Sequence, residues 1–394
     1  MSNELRVIQL IMCKRLHLAV EAVGAKYGGG AVVLGDVLRA AIRCGEIERI
    51  TVFCSPRNAR NFDMPHSQKL FEVPRPYAEK STLGRLHWLK RGLREDVKAH
   101  KANMVACMNG IGSSPERVPM IVFIQQALPF CYEALGRCGL GTRIRMLTIG
   151  RLMKRSCNNA ALIVTQTPTM SEWIRSAYEL RNVQIMVVKP WGDQVGMDSE
   201  QGGSVAAMLN VPAHLRLLYV GNSSRYKNLE CLFSALPEIR RRIPGATLFL
   251  TCPGDHSLCK STGAIGLGYL GGSALKSAYQ LATILVTPSL VESGNLILTE
   301  AMAMGTPIVA ANRAYARDLC GDAAVYFNPD RPTELATAIG DLLEHDEKRR
   351  DLVRRGFEVV SLGRSERPYD HMMGRLVALW RSPYGHANNV LQSQ

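Results

Sequence analysis

The feature that most constrains this chain is an alternation running through both halves, in which short β-branched and apolar runs are separated by amphipathic stretches of helical period. A strand that must be followed by a helix before the next strand can only pair in parallel, so the pattern predicts α/β domains built on parallel sheets. In the first half, strands are expected at 5–12, 50–54, 104–108, 120–124, 162–166 and 183–188. Leu34, Val37, Leu38, Ala41 and Ile42 recur at one helical face and mark a helix that ends at Gly45. In the second half, strands are expected at 215–220, 247–251, 284–288 and 308–310, with Leu229, Leu232, Phe233 and Leu236 as a helix face. The stretch 190–211, with Gln201-Gly202-Gly203-Ser204, reads as the connection between two doubly wound domains. A ligand of such a pair belongs in the central cleft at the strand ends.

Composition narrows the class. With 46% hydrophobic and 21% charged residues in 394, the chain can fill two cores, which excludes a disordered or fibrous protein. The eleven cysteines are scattered and include no C-x-x-C pair, so they read as reduced thiols of a cytoplasmic protein with no zinc site. Glu4, Lys14 and Arg15 interrupt the apolar start, and neither a signal peptide nor a membrane span is expected. The formal excess of 14 positive charges lies entirely within residues 1–190, while residues 191–394 balance. That asymmetry suits an anionic membrane surface or a polyanion, or is a solvated basic face without a partner. The basic stretches 75–101 and 143–155 interleave cations with Leu, Met and Trp, as interfacial helices do and as ordinary packed amphipathic helices also do. No nucleic-acid module or aromatic stacking surface is visible, and no nucleic-acid partner is expected.

The strongest local signal is the run from Pro288 through Glu292-Ser293-Gly294-Asn295-Leu296 to Glu300, closed by Gly305 and Pro307. A strand enters a small polar loop, and a helix leaves it. Free backbone N–H groups at that helix start accommodate a phosphate. Glu292 sits in the loop and Glu300 about one and a half turns into the helix, so the two act on different ligand atoms or are simply a loop and a helix-face carboxylate. A second strand–loop–helix, Tyr219-Val220-Gly221-Asn222-Ser223-Ser224-Arg225-Tyr226-Lys227, brings cations to the same cleft edge.

These residues resemble the E-x7-E signature and its surroundings in glycosyltransferase family 4 (group 1), the retaining glycosyltransferases of GT-B type. The resemblance is specific from Leu217 to Leu343 and diffuse over the first half. It implies a GT-B fold with an acceptor-binding domain over 1–190, a nucleotide-sugar-binding domain over 191–368, and a helix in 369–394 that returns to the first domain. It also implies that Glu292 orients the donor sugar and that Glu300 accepts hydrogen bonds from the ribose hydroxyls. Lys227, six after Gly221, would contact the diphosphate, while the N–H groups near Ser293, Gly294, Asn295 and Leu296 bind phosphate. Gly268 and Tyr269 fall in the nucleotide-base region. Relatives often carry arginine where this chain has Asn222, so Arg225 is a substitute cation. Gly29 and Gly30, from Gly28-Gly29-Gly30, resemble the family's glycine loop, which implies donor binding through close approach to the donor phosphate or acceptor, but also fit a plain flexible turn, because the expected first strand ends some fifteen residues earlier. Gln125 stands where many relatives carry a histidine that touches the donor sugar.

The expected activity is transfer of a sugar, a hexose by family analogy, from a nucleotide diphosphate sugar to a glycan or lipid-linked acceptor. The resemblance places it in cell-surface polysaccharide or lipopolysaccharide synthesis, with peripheral contact to the inner face of the cytoplasmic membrane. No metal and no cofactor beyond the donor is expected, since no Asp-x-Asp pair sits at a strand end. Two alternatives stay open: a non-catalytic nucleotide-sugar sensor or scaffold of the same fold, and an NAD-dependent oxidoreductase. The second rests on Gly266-Leu267-Gly268-Tyr269-Leu270-Gly271, a G-x-G-x-x-G match in mid-domain with Glu292 as its acidic residue.

Overall fold

A computed structural model describes residues 15–25, 28–55, 64–180, 183–191, 203–252 and 257–382. The expected strand at 5–12 lies outside them.

The first sheet contains β1 (Leu16–Glu21), β2 (Ile47–Cys54), β3 (Leu70–Pro74), β4 (Met104–Cys107), β5 (Met120–Phe123), β6 (Leu162–Thr165) and β7 (Gln184–Val187). The second contains β8 (Arg216–Tyr219), β9 (Thr247–Leu250), β10 (Ile265–Gly266), β11 (Ile284–Thr287), β12 (Ile308–Ala311) and β13 (Ala324–Phe327). Both are parallel, in the orders β3-β2-β1-β4-β5-β6-β7 and β10-β9-β8-β11-β12-β13. The inner strands β4, β5, β6, β8, β11 and β12 are buried at every residue, because helices cover both faces of a doubly wound sheet.

The helices that matter for the site are α1 (Gly29–Arg43), α2 (Leu140–Asn158), α3 (Leu229–Arg242), α4 (Gly272–Leu281), α5 (Leu296–Ala303), α6 (Asp346–Ser365) and α7 (Pro368–Arg381). Alternate residues of β1 divide the first core in two. Leu16, Leu18 and Val20 meet α1 and α7, while Ala19 faces a cluster with Trp88, Leu89 and Leu93. Helix α7 follows the second sheet in the chain and buries Tyr369, Met372, Met373, Leu376 and Trp380 against the first core.

Several sequence expectations shift. The glycine turn follows a strand ending at Glu21 and is itself the start of α1, so the long gap before it disappears. The G-x-G-x-x-G stretch begins on β10, the two-residue edge strand of the second sheet, and not on a central strand opening a dinucleotide fold. The strands β1, β3, β10 and β13 are absent from the sequence expectations.

Candidate active site

In each sheet, chain order reverses beside one strand: β1 lies between β2 and β4, and β8 lies between β9 and β11. Crevices open at such switch points, outside the carboxyl ends of the strands. The loops that follow β8 and β11 meet there. After β8, Gly221 turns at φ 139 and its N–H donates to Thr251 Oγ1 at 2.9 Å. The buried Tyr219 hydroxyl donates to the Asn222 carbonyl at 2.7 Å, and Asn222 Oδ1 accepts from the Ser224 N–H at 3.0 Å. This folds the loop tightly into a 3-10 turn, Arg225–Lys227, before Asn228 enters the left-handed region and α3 begins.

The turn points the two cations in different directions. Lys227 is buried, and its Nζ donates to Glu292 Oε1 at 2.5 Å; the two side chains keep only 10% and 14% exposure. Burial pulls the Lys227 ammonium toward neutrality, but the charge of Glu292, with that of Tyr226 and the hydrogen bond to Glu292, outweighs it and raises the pKa. An ammonium that is charged at neutral pH is thus held at the end of β11. Arg225 is exposed and makes no ion pair among the described residues.

The loop after β11 reaches across to the first sheet. Ser293 Oγ donates to the Gln125 carbonyl at 3.0 Å, and Thr167 Oγ1 donates to the Ser293 carbonyl at 3.3 Å. Gln125 and Thr167 lie just beyond β5 and β6, so strand ends of both sheets converge. Gly294 allows this approach: a Cβ there would lie 2.6 Å from the Gln166 side chain. Gly29 is similarly close to the opposite wall, its Cβ position being 3.1 Å from Leu296 Cδ1, and that of Gly30 is 3.7 Å from Gln125 Oε1. The Gln125 amide itself donates to the Met108 carbonyl at 2.8 Å.

Asn295 caps α5 in a strained conformation, φ 21 and ψ 71. Its side chain is buried, yet neither amide atom has a hydrogen-bond partner of normal geometry among the described residues, and the neighbouring Tyr315 hydroxyl is committed to the Ser289 carbonyl at 2.8 Å. Orphaned buried polar atoms are costly and mark a place built for something else. No acidic side chain occupies the first turn of α5, whose leading N–H groups lack intrahelical acceptors. An anion here meets a helix N-terminus, an uncommitted amide and Lys227 together.

Glu300 lies on the fifth residue of α5, 7% exposed, and its Oε2 accepts from the Tyr279 hydroxyl of α4 at 2.8 Å. Burial, then the Glu300 charge, keeps Tyr279 protonated and therefore a donor. The two glutamates have separate partners, Lys227 and Tyr279. No hydrogen bond or ion pair among the described residues joins Gly268, Tyr269 or Arg225 to this group. Gly268, at φ 77, is accounted for by close packing on Gly203, and Tyr269 is 57% exposed.

Sequence reasoning overlooked Tyr279, Gln166 and Glu21. Gln166 had a usable signal, since it follows a buried strand as Gln125 does. Glu21 ends the apolar β1 at the same edge of the first sheet, fully buried, with Oε1 unpartnered among the described residues and Oε2 at 3.4 Å from Asn109 Nδ2. Burial raises its pKa, with Arg85 opposing. Among the described residues no three His, Cys, Asp or Glu side chains converge as a metal set would.

Residues 214–345 match the family described as glycosyl transferases group 1. An uncharacterized glycosyltransferase of Methanocaldococcus jannaschii is 26% identical over 192 residues, 45% of this chain and 49% of the relative. The chain thus spans about half the length of that curated relative. Among solved structures, sucrose-phosphate synthase from Thermosynechococcus elongatus superposes with a TM-score of 0.72 at 19% identity, covering 92% of this chain and 98% of that one. HepE of Anabaena, in complex with UDP and glucose, superposes with a TM-score of 0.64 at 15% identity, covering 92% and 100%. The chain therefore has the GT-B fold, and its residues 214–345 are similar to the group 1 glycosyl transferases.

Proposed function

We propose that this chain transfers a hexosyl group from a nucleotide diphosphate sugar to an acceptor hydroxyl, with retention at the anomeric carbon as in family 4. The observation that carries the reading is the buried Lys227–Glu292 pair beside the N-terminus of α5, at the meeting of both sheets' carboxyl ends. The HepE structure, which holds UDP and glucose, supports a donor of this class on the same architecture.

In the reaction the bond from the anomeric carbon to the diphosphate oxygen breaks and a bond to the acceptor oxygen forms. The acceptor's proton passes to the departing phosphate oxygen, so no protein base is required. Negative charge grows on the diphosphate as the bond breaks. Lys227, the leading N–H groups of α5 and the Asn295 amide stabilise it without reorganising. Glu292, fixed by Lys227, faces the donor sugar. Glu300, oriented by Tyr279, accepts from the ribose hydroxyls. Gly29, Gly30 and Gln125 form the opposite wall of the donor site, with Gly221 and Asn222 beneath the diphosphate. The exposed Arg225 is a supplementary cation, and Tyr269 with Gly268 borders the base.

The acceptor is a glycan or a lipid-linked sugar at an anionic membrane surface, in cell-surface polysaccharide synthesis. Helix α2 supports this: Leu140, Ile144 and Leu147 stand exposed on one stripe, with Arg145 and Arg151 exposed on the same helix. No helix among the described residues is long and apolar enough to cross a membrane.

A thermal-shift screen of the full chain against UDP- and GDP-sugars tests the donor. A ligand at 100 times its dissociation constant adds about 2.7 kcal/mol of stability. Stabilisation by a nucleotide sugar with release of nucleoside diphosphate supports the reading. No stabilisation by any donor overturns it, and binding without turnover replaces it with a nucleotide-sugar sensor.

A further inference from the structure

The side chain of Arg137 ties the first domain to the turn that carries Lys227. Arg137 caps the short helix Tyr132–Gly136, which follows β5 in the first domain. One arm of its guanidinium, Nη1, donates to Asn228 Oδ1 at 3.3 Å, and the other, Nη2, donates to the carboxylate of Asp330 in the turn after β13. Glu133, one helical turn earlier, has its Oε1 3.6 Å from Arg137 Nη2 and accepts from Arg313 Nη2 of the second domain at 2.5 Å. The charges therefore alternate along Asp330, Arg137, Glu133 and Arg313, two from each domain.

Stability alone does not account for this set. Glu133 and Asp330 are exposed and Arg137 is half-buried, and ion pairs so placed contribute little net free energy. The partner that differs is Asn228. It is buried, sits in the left-handed region at φ 55 and ψ 37, and directly follows Lys227. Its amide Nδ2 donates to the Pro329 carbonyl at 2.9 Å, so its side chain is held by Arg137 from the first domain and by Pro329 from the second. Its backbone N–H donates to the Arg225 carbonyl at 3.1 Å, and that of Lys227 to the Ser224 carbonyl at 2.8 Å, which closes the 3-10 turn. Moving Asn228 therefore moves the backbone of Lys227. A guanidinium suits the task, because its planar fork engages an amide oxygen and a carboxylate in one fixed geometry, whereas an ammonium is a point charge on a flexible stem.

We infer that Arg137 is a positioning residue, which fixes Asn228 from the first domain and so places Lys227 against Glu292 and the departing diphosphate. The inference rests on the role proposed for Lys227. Arg137 acts through that lysine, and a first-domain side chain thus completes the placement of a second-domain cation. The carboxylates of Asp330 and Glu133 on either side of the guanidinium keep the fork aimed at Asn228.

Two measurements on the full chain test this. Hydrogen exchange followed by mass spectrometry, with no donor present, reads the amides of Lys227 and Asn228. Arg137→Ala should speed their exchange about tenfold, the equivalent of one charge-assisted hydrogen bond, and leave β6 unchanged. With a donor that turns over, Arg137→Ala should lower the rate at saturation about 10- to 100-fold by displacing Lys227, with donor affinity changed far less. In a Lys227→Met background the same substitution should lower the rate no further, since a residue that acts through another is silent once that other is gone. Unchanged exchange at Lys227 and Asn228, or a rate loss that adds in full to that of Lys227→Met, overturns the inference. Faster exchange in Arg137→Ala beside a parent chain that turns over no donor sinks the transferase reading and the catalytic role of Arg137 with it, whereas unchanged exchange beside an active parent sinks Arg137 alone. If Arg137→Ala does not fold, Arg137→Lys, which keeps the charge and loses the fork, is read in the same way.

Discussion

Replacing Lys227 by methionine strands Glu292 in a site where its side chain is 14% exposed. At 2.5 Å and an effective dielectric near 20, the two charges attract by about 6 to 7 kcal/mol before desolvation is counted. Desolvating both ions consumes much of that, so the pair as a unit contributes little net stability. Removing one member is different, because the other stays buried and uncompensated, at a cost of about 3–5 kcal/mol. The reasoning therefore predicts a non-additive cycle. Lys227→Met and Glu292→Gln each lose about 3–5 kcal/mol, while the double variant loses far less than their sum.

The pH dependence supplies a sign. In the parent chain the Lys227 pKa is raised above its ordinary value of 10.5, so the pair's stability is complete below that pH and is lost only as pH rises through the folded value. In Glu292→Gln the carboxylate that raises the pKa is gone and burial prevails over Tyr226, so the folded pKa falls below 10.5 and stability rises as pH goes from 7 to 9. Urea denaturation of the four chains at pH 7 and pH 9, followed by circular dichroism, measures both effects. Additive losses below about 1 kcal/mol, with no pH effect in Glu292→Gln, would refute a buried pair.

Gly294→Ala places a methyl group 2.6 Å from the Gln166 side chain. It is expected to cost about 1–3 kcal/mol by overpacking and to lower turnover on the order of 100-fold by displacing the donor loop, measured by denaturation and initial rates. For Glu21, burial raises the folded pKa above 4.5, so its contribution is present below about pH 4.5 and is lost as pH rises through the folded value. Glu21→Gln should remove that decline and be the more stable chain at pH 7, with equal or lower stability there counting against the buried-carboxylate account. The basic first half and the apolar stripe of α2 should carry the chain to anionic vesicles in co-sedimentation, weakening from 0.1 M to 1 M salt as the Debye length shrinks from about 10 Å to 3 Å. Ile144→Asp should reduce that partitioning, and equal partitioning to neutral vesicles would defeat the membrane reading.

What could be read from the sequence follows burial. Strands such as β8 and β11, covered on both faces, leave unbroken apolar runs at Leu217-Leu218-Tyr219 and Ile284-Leu285-Val286, and these were placed to within a residue or two. Three of the four edge strands escaped, β7 being the one that was read: β3 is half exposed, so Leu70-Phe71-Glu72-Val73 shows no clear period, and β10 is only two residues long. In β1, His17 and Glu21 interrupt the apolar pattern, which drew attention to 5–12 instead. The strand–loop–helix around Glu292 and Glu300 was visible because it is local. The partners were not, since Lys227 meets Glu292 across 65 positions and Tyr279 meets Glu300 across 21. Nothing in a linear reading pairs Gly294 with Gln166, because that approach exists only once the two sheets face one another.

The central claim is that Lys227 stabilises a departing diphosphate. Its most direct test is the rate of nucleoside diphosphate release at saturating donor, in the presence of acceptor, for the parent chain and Lys227→Met, with donor affinity measured in parallel. An interaction that strengthens as charge develops lowers turnover more than binding, and loss of one preorganised donor costs about 100- to 1,000-fold. The account predicts that fall with donor affinity changed far less. Near-parental turnover in a folded Lys227→Met chain would contradict it.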